Sequence, residues 1–206
     1  TSIDDAGKTA GDAFTKLTVA RSSLNRIRWI FVISGKKDYF NTAYRSLGSL
    51  AYFSESVSKM TSAVKPVESL WEVIRPDTDK KLDMASFDEA KLNILTAQNY
   101  LKLAEADFKN VNKNLLPAGY KDKASQYETY LYNIDGGLEL ASTFVSNLPD
   151  ILGAHGEKKY IIWFQNSNEI RPTGGFIGSY GVLKFENGKL KDLVIDDIYN
   201  PDGQID

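Results

Sequence analysis

The sequence predicts an α+β protein. A long antiparallel four-helix bundle over residues 1–150 is followed by an incomplete α/β-type domain, seen as a three-stranded β segment over residues 151–206. Three observations predict this. Four segments carry apolar residues at alternating spacings of three and four, which keeps one stripe facing a partner. From residue 151 the pattern changes to short β-rich runs separated by glycine-rich loops. Between two of those runs stands Asn187-Gly188, a strong short-range hairpin signal.

The first stripe runs Ile3, Ala6, Ala10, Ala13, Leu17, Ala20, Leu24, Ile27, Phe31, and Gly35 follows it as a helix stop. The second runs Phe40, Ala43, Leu47, Leu50, Ser54, Val57, Thr61, Val64, with Asp38 placed to cap it and Pro66 just after it. The third runs Phe87, Ala90, Ile94, Ala97, Leu101, Ala104, Phe108, Val111, opened by a Ser86/Glu89 capping box. The fourth runs Ala124, Tyr127, Leu131, Ile134, Leu138, Ala141, Val145, Leu148, with Leu116-Pro117-Ala118-Gly119 before it and Pro149 as its end. Helices of about 25–30 residues are roughly 40–45 Å long. Short first and third links make those neighbours antiparallel. The link from Lys65 to Ala85 is longer, and reads as a short helix over 67–74 and a breaker, Arg75-Pro76-Asp77. Alanines alternating with larger residues let the axes approach closely. Leu17, Leu101 and Leu138 are expected to be buried.

Residues 151–157 read as a linker. Lys158 to Gln165 then reads as a strand whose run Tyr160-Ile161-Ile162-Trp163-Phe164 is apolar throughout, which predicts cover on both faces. A polar loop, Asn166 to Gly175, leads to a second strand over 176–185 with Gly178 and Gly181 inside it. Asn187-Gly188 turns into a third strand over 189–197, mixed on both faces and so read as an edge. Three strands with so apolar a first member need a further layer. The chain begins at Thr1 and ends soon after Pro201-Asp202-Gly203, and we expect further residues to complete the β domain.

Composition limits the chemistry. Hydrophobic residues at 42% and charged residues at 25% suit a soluble globular protein and exclude a disordered tail. Lys and Arg total 25 against 27 Asp and Glu, so net charge is -2 and no overall basic excess drives nucleic-acid or anionic-membrane binding. There are no cysteines, which excludes disulfides, thiolate metal sites and cysteine nucleophiles. The single histidine, His155, lies in the linker and is expected to be exposed. A His-dependent triad and a di-metal bundle site are therefore not expected. No catalytic residue, metal site or cofactor is read from the sequence. The longest apolar run, Trp29 to Ile33, is far below the ~20 residues of a membrane span.

Residues Phe164 to Gly181, containing Asn166-Ser167-Asn168-Glu169-Ile170-Arg171-Pro172-Thr173-Gly174-Gly175-Phe176, resemble the signature of a bacterial family of the domain-of-unknown-function type. Its members look like membrane-anchored surface proteins, and Asp202-Gly203-Gln204 fits the same pattern. The resemblance implies an extracytoplasmic protein anchored through a segment upstream of this chain. A looser likeness is to the LytR–CpsA–Psr phosphotransferases, in which an arginine helps to hold a pyrophosphate-linked lipid. Arg171 matches that arginine, but Arg171-Pro172-Thr173-Gly174 stands where that family has Arg-x-Asp-Thr, so the acidic partner is missing.

The candidate ligand residues are Arg171, Asn166, Glu169, Thr173, Gly174 and Gly175. A guanidinium fork suits phosphate or carboxylate, and exposed glycine N–H groups can cradle an anion. The preferred reading of the same residues is structural, with Arg171 paired to Glu169 or to carbonyls and the asparagines pinning the loop. The acidic residues Asp196 to Asp206 read as a solvated turn. Together these readings describe an extracytoplasmic cell-surface module, in which a helical stalk or scaffold presents an α/β domain. Its partners would be other surface proteins or cell-wall polymer, with no nucleic acid. The alternatives are a glycopolymer phosphotransferase-like enzyme and an extracellular helical sensor.

Overall fold

The four apolar stripes do fold into helices, but the first of them breaks in two. The structure is a computed structural model that describes residues 2–73, 83–169, 172 and 174–202. Helix α1 spans Ser2–Arg26 and α2 spans Arg28–Ile33. Ile27 departs from helical geometry at φ -100 and ψ 9, and its N–H turns to the Leu24 carbonyl three residues back at 3.2 Å. The β-branched run around it, Ile27, Ile30, Val32 and Ile33, is a poor helix former, and a tightened turn is its usual outcome. Gly35 then stops α2 as expected. Its φ is 71, the Lys36 N–H reaches the Phe31 carbonyl at 2.8 Å, and its own N–H reaches Val32 at 3.2 Å, a Schellman closure.

Helix α3 spans Lys37–Val73 and runs through Pro66, so the short helix expected at 67–74 is its continuation. A proline costs the bond to the carbonyl four residues back, here Ser62, and a helix of 37 residues absorbs one such loss. Asp38 lies in the first turn instead of capping it, where its charge still suits the helix dipole. The breaker at 75–77 lies outside the described residues. Helix α4 spans Met84–Lys109 and starts before Ser86, which therefore does not cap it. A 3₁₀ turn at Lys113–Leu115, with the Asn114 N–H donating to Asn112 Oδ1 at 3.1 Å, leads into α5, Ala118–Ile151. Pro149 sits inside the last turn of α5, two residues before its end.

By contact the chain forms two units. One joins residues 1–65 with 85–145; the other joins 66–84 with 146–206. In the first unit the expected α4 stripe is buried at every position from Phe87 to Val111. The α5 stripe is buried at Ala124, Leu131, Leu138 and Val145. Each buried large apolar side chain contributes about 1.5–3 kcal/mol. The α1 stripe is only half-buried, at Ala10, Ala13, Leu17 and Leu24, and exposed at Ile3, Ala6 and Ala20.

The α3 stripe is buried as expected at Phe40, but beyond it the expected positions are not the seam. Leu50 is exposed and Leu47 half-buried, while Thr42, Ser49, Ser56 and Ala63 are buried at intervals of seven. Ser49 Oγ donates to the Ala104 carbonyl at 2.7 Å and Ser56 Oγ to the Ala97 carbonyl at 2.9 Å. Rising numbers on α3 meet falling numbers on α4, so the two helices are antiparallel. Short side chains permit a close approach, and the facing carbonyls accept the hydroxyls that burial would otherwise leave unpaired. Helix α1 approaches α3 just as closely at Gly7, where a Cβ would stand 2.2 Å from Thr61 Oγ1.

The second unit holds a three-stranded antiparallel sheet in the order β1-β2-β3, with β1 at Lys158–Asn166, β2 at Phe176–Glu186 and β3 at Lys189–Asp197. Ile161 pairs with Val182 and Val182 with Val194, which fixes the register. Asn187 at φ 53 and Gly188 at φ 70 make the expected two-residue turn, both in the left-handed region that a type I′ hairpin requires. The end of α5 anchors that turn: Asn187 and Gly188 N–H groups donate to the Gly153 and Leu152 carbonyls at 2.8 and 3.1 Å. Leu152, Phe185 and Leu190 are buried there. A four-residue helix, α6 at Tyr199–Asp202, follows β3.

Candidate functional site

The loop between β1 and β2 is organised by its own polar groups. Asn166 ends β1 opposite Phe176. Its side-chain Oδ1 accepts the Asn168 N–H at 3.1 Å, and its carbonyl accepts the Glu169 N–H at 3.3 Å. This is a turn that asparagine favours because its side chain imitates a backbone acceptor. Gln165 Nε2 donates to the Gly175 carbonyl across the loop mouth at 3.2 Å. Gly174 holds φ 102, and Gly175 is buried, with room for no Cβ: one would fall 2.5 Å from the Asn166 carbonyl oxygen. Asn166, Glu169, Gly174 and Gly175 are thus gathered at one end of the sheet. Arg171 and Thr173, the other two candidates, lie outside the described residues. Gln165 was missed, although its place at the strand end beside Asn166 could have pointed to it.

Of the acidic residues expected in a solvated turn, Asp196 and Asp197 end β3 and bond the backbone and side chains that follow, while Asp206 lies outside the described residues. Asp196 Oδ1 accepts the Asp197 N–H at 2.8 Å and bonds Asn200 Nδ2, and Asp197 Oδ1 accepts the Tyr199 N–H at 3.0 Å at the start of α6. His155 is exposed, with Nδ1 2.7 Å from Asp150 Oδ1.

The sheet itself departs from expectation. Its first strand was expected to be covered on both faces, yet β1 is exposed along its whole length. Ile161 is 57% and Trp163 53% exposed, and Leu193, Val194 and Ile195 on β3 are exposed as well. Both strands are edges; β2 between them is half-buried, with Gly181 buried at its middle, and the buried large side chains Leu152, Phe185 and Leu190 gather at the hairpin end. Near that end Glu157 bonds Lys184 at 3.0 Å and Lys159 at 3.2 Å. Lys184 first, and then Lys159, hold its carboxyl below the usual carboxylate range.

Sequence reading also missed a buried ionic cluster in the helical unit. Asp107 of α4 is buried and meets two guanidiniums, Arg21 Nη2 of α1 at 2.8 Å and Arg45 Nη1 of α3 at 2.5 Å. Arg21 lies over the Tyr44 ring, 4.3 Å from its centroid, and donates to the Tyr52 hydroxyl at 3.1 Å. Gly48 makes the room, since a Cβ there would stand 2.1 Å from Asp107 Oδ2. A second polar contact lies along α3: the Tyr127 hydroxyl donates to the Ser49 carbonyl at 3.1 Å and sits 3.0 Å from Ser49 Oγ. Burial pushes the phenol up to about 12, against a smaller opposing effect of the Ser49 bond. These groups are committed to joining helices, which is scaffold chemistry. Among the described residues no group of three or more His, Cys, Asp or Glu could hold a metal ion.

The sheet and its loop are also where the chain matches a family model. Residues 155–203 match the family described as "Protein of unknown function (DUF4012)". The match covers the sheet, the loop and the α6 turn, and supports the unknown-function family type read from the signature. Comparison with curated proteins and with solved structures found no match.

Proposed function

We propose that this chain is a non-enzymatic cell-surface module, in which a rigid helical unit is the scaffold and the sheet with its Asn166–Gly175 loop is the part presented to partners. The observation that carries the reading is the division of labour among polar groups. Ser49, Ser56, Asp107 and Tyr127 are buried or half-buried and spent on helix-to-helix bonds, whereas the sheet unit keeps its apolar strands exposed. The family match falls on the sheet unit and not on the scaffold. Partners would be other surface proteins or cell-wall polymer, and the protein would be held outside the cytoplasm by a membrane anchor upstream of this sequence.

Protease treatment of intact cells that make the full-length protein tests this. The exposed loop residues 166–169 should be cleaved without lysis. Cleavage only after the cells are broken would contradict the surface assignment.

A further inference from the structure

The corner between α1 and α3 combines two chemistries that an average over the chain conceals. Between Asp12 and Asp38 the sequence has six basic residues, Lys16, Arg21, Arg26, Arg28, Lys36 and Lys37, and no acidic one. Arg21 is committed to Asp107. Arg26, Arg28, Lys36 and Lys37 are exposed and flank α2 on both sides.

Helix α2 itself is inside out for a soluble protein. Trp29 is 63% and Ile33 78% exposed, and Ile27, Ile30 and Val32 are exposed beside them. At 100° per residue, Trp29, Ile30, Val32 and Ile33 share one arc of the helix and Phe31 takes the opposite side. Phe31 is the residue that turns inward, 5.7 Å from the Phe40 ring. The Schellman closure at Gly35 holds this arrangement, so the apolar arc is presented on a fixed turn.

We infer that this corner seats on an anionic lipid surface. Aliphatic side chains beside a tryptophan, flanked by four exposed cations with Asp38 the one acid adjoining them in sequence, match the bilayer interface in both respects at once. The apolar arc enters the headgroup–acyl boundary, the indole favours the same depth, and Arg26, Arg28, Lys36 and Lys37 meet phosphate headgroups. Basic residues near an anionic surface contribute about 1 kcal/mol each. The contact is peripheral: no described helix is long and apolar enough to cross a membrane. It is independent of the surface-module reading, because it concerns the helical unit alone.

Vesicle flotation with the whole chain tests the inference. Phosphatidylcholine vesicles containing phosphatidylglycerol should carry the protein up at least about tenfold better than phosphatidylcholine alone, and added salt should weaken the binding. Trp29→Ser/Ile33→Ser and Arg26→Glu/Lys36→Glu/Lys37→Glu should each abolish it. All five substituted positions are exposed, and an unchanged circular dichroism melt confirms the fold. Ile161→Ser/Trp163→Ser, which alters the bare sheet instead, should leave flotation intact. Equal flotation with neutral vesicles, or none at all, would overturn the inference. So would loss caused only by the sheet variant, or a lipid-free dimer that disappears in Trp29→Ser/Ile33→Ser, since the corner would then face a second copy.

Discussion

Asp107 stands between two guanidiniums, and removing it leaves both without a counter-ion. Arg21 is mostly buried, so the loss cannot be made good by water. Asp107→Ala should cost about 3–5 kcal/mol, read as a lowered denaturation midpoint, because breaking a buried pair leaves a charge uncompensated. Tyr127 gives the helical unit a limit at high pH. Its neutral form is favoured in the fold, from an ordinary value near 10 up to about 12. The corresponding stability, about 2–3 kcal/mol, is complete below pH ~10 and is lost as pH rises through ~12. Tyr127→Phe should lower stability at neutral pH and flatten the alkaline part of a stability-versus-pH curve. Gly153 holds φ 67, and a Cβ would stand 2.7 Å from the Phe185 carbonyl oxygen and 2.8 Å from that of Gly156. Gly153→Ala should therefore destabilise the sheet unit by about 2–4 kcal/mol, combining left-handed strain with overpacking, and a thermal melt would show it.

At the scale of elements, the success of the sequence reading followed the size of the side chains. On α4 large residues alternate with alanine at the seam, and the stripe from Phe87 to Val111 is buried throughout as expected. On α3 hydrophobicity pointed to Leu47, Leu50 and Val57, but the seam is Thr42, Ser49, Ser56 and Ala63. Serine scores as polar, and nothing in a single sequence says that a facing helix offers it a carbonyl. The Arg21–Asp107 bond joins positions 86 residues apart and was illegible for the same reason. The hairpin was legible because Asn187-Gly188 encodes its own backbone geometry. The loop was legible as a polar turn, while Arg171 and Thr173 lie outside the described residues. A pair of substitutions checks the α3 register. Ser49→Leu should cost about 1–3 kcal/mol by overpacking the contact with α4. Leu50→Ser, at an exposed site one residue away, should change stability by about 0.5 kcal/mol or less. The opposite order in urea midpoints would restore the hydrophobic stripe as the seam.

At the scale of the whole molecule, the two units differ in how far their own residues bury them. Along the α3–α4 seam the helical unit buries apolar and polar groups alike, so the amides there should open only with global unfolding, whereas α1 and α2 are half-buried or exposed. The sheet unit has two edge strands and apolar residues in solvent on β1 and β3. Such strands have few packing contacts to lose, and local opening should be cheap. The central claim is that the α3–α4 seam is closed while the sheet is uncovered on β1 and β3, and residue-resolved native-state hydrogen exchange tests it most directly. The expected result is slow exchange at Ser49–Ser56 and Ala97–Ala104 and exchange at β1 and β3 that is faster by orders of magnitude. Protection of Ile161–Phe164 equal to that of the α3–α4 seam would contradict the account.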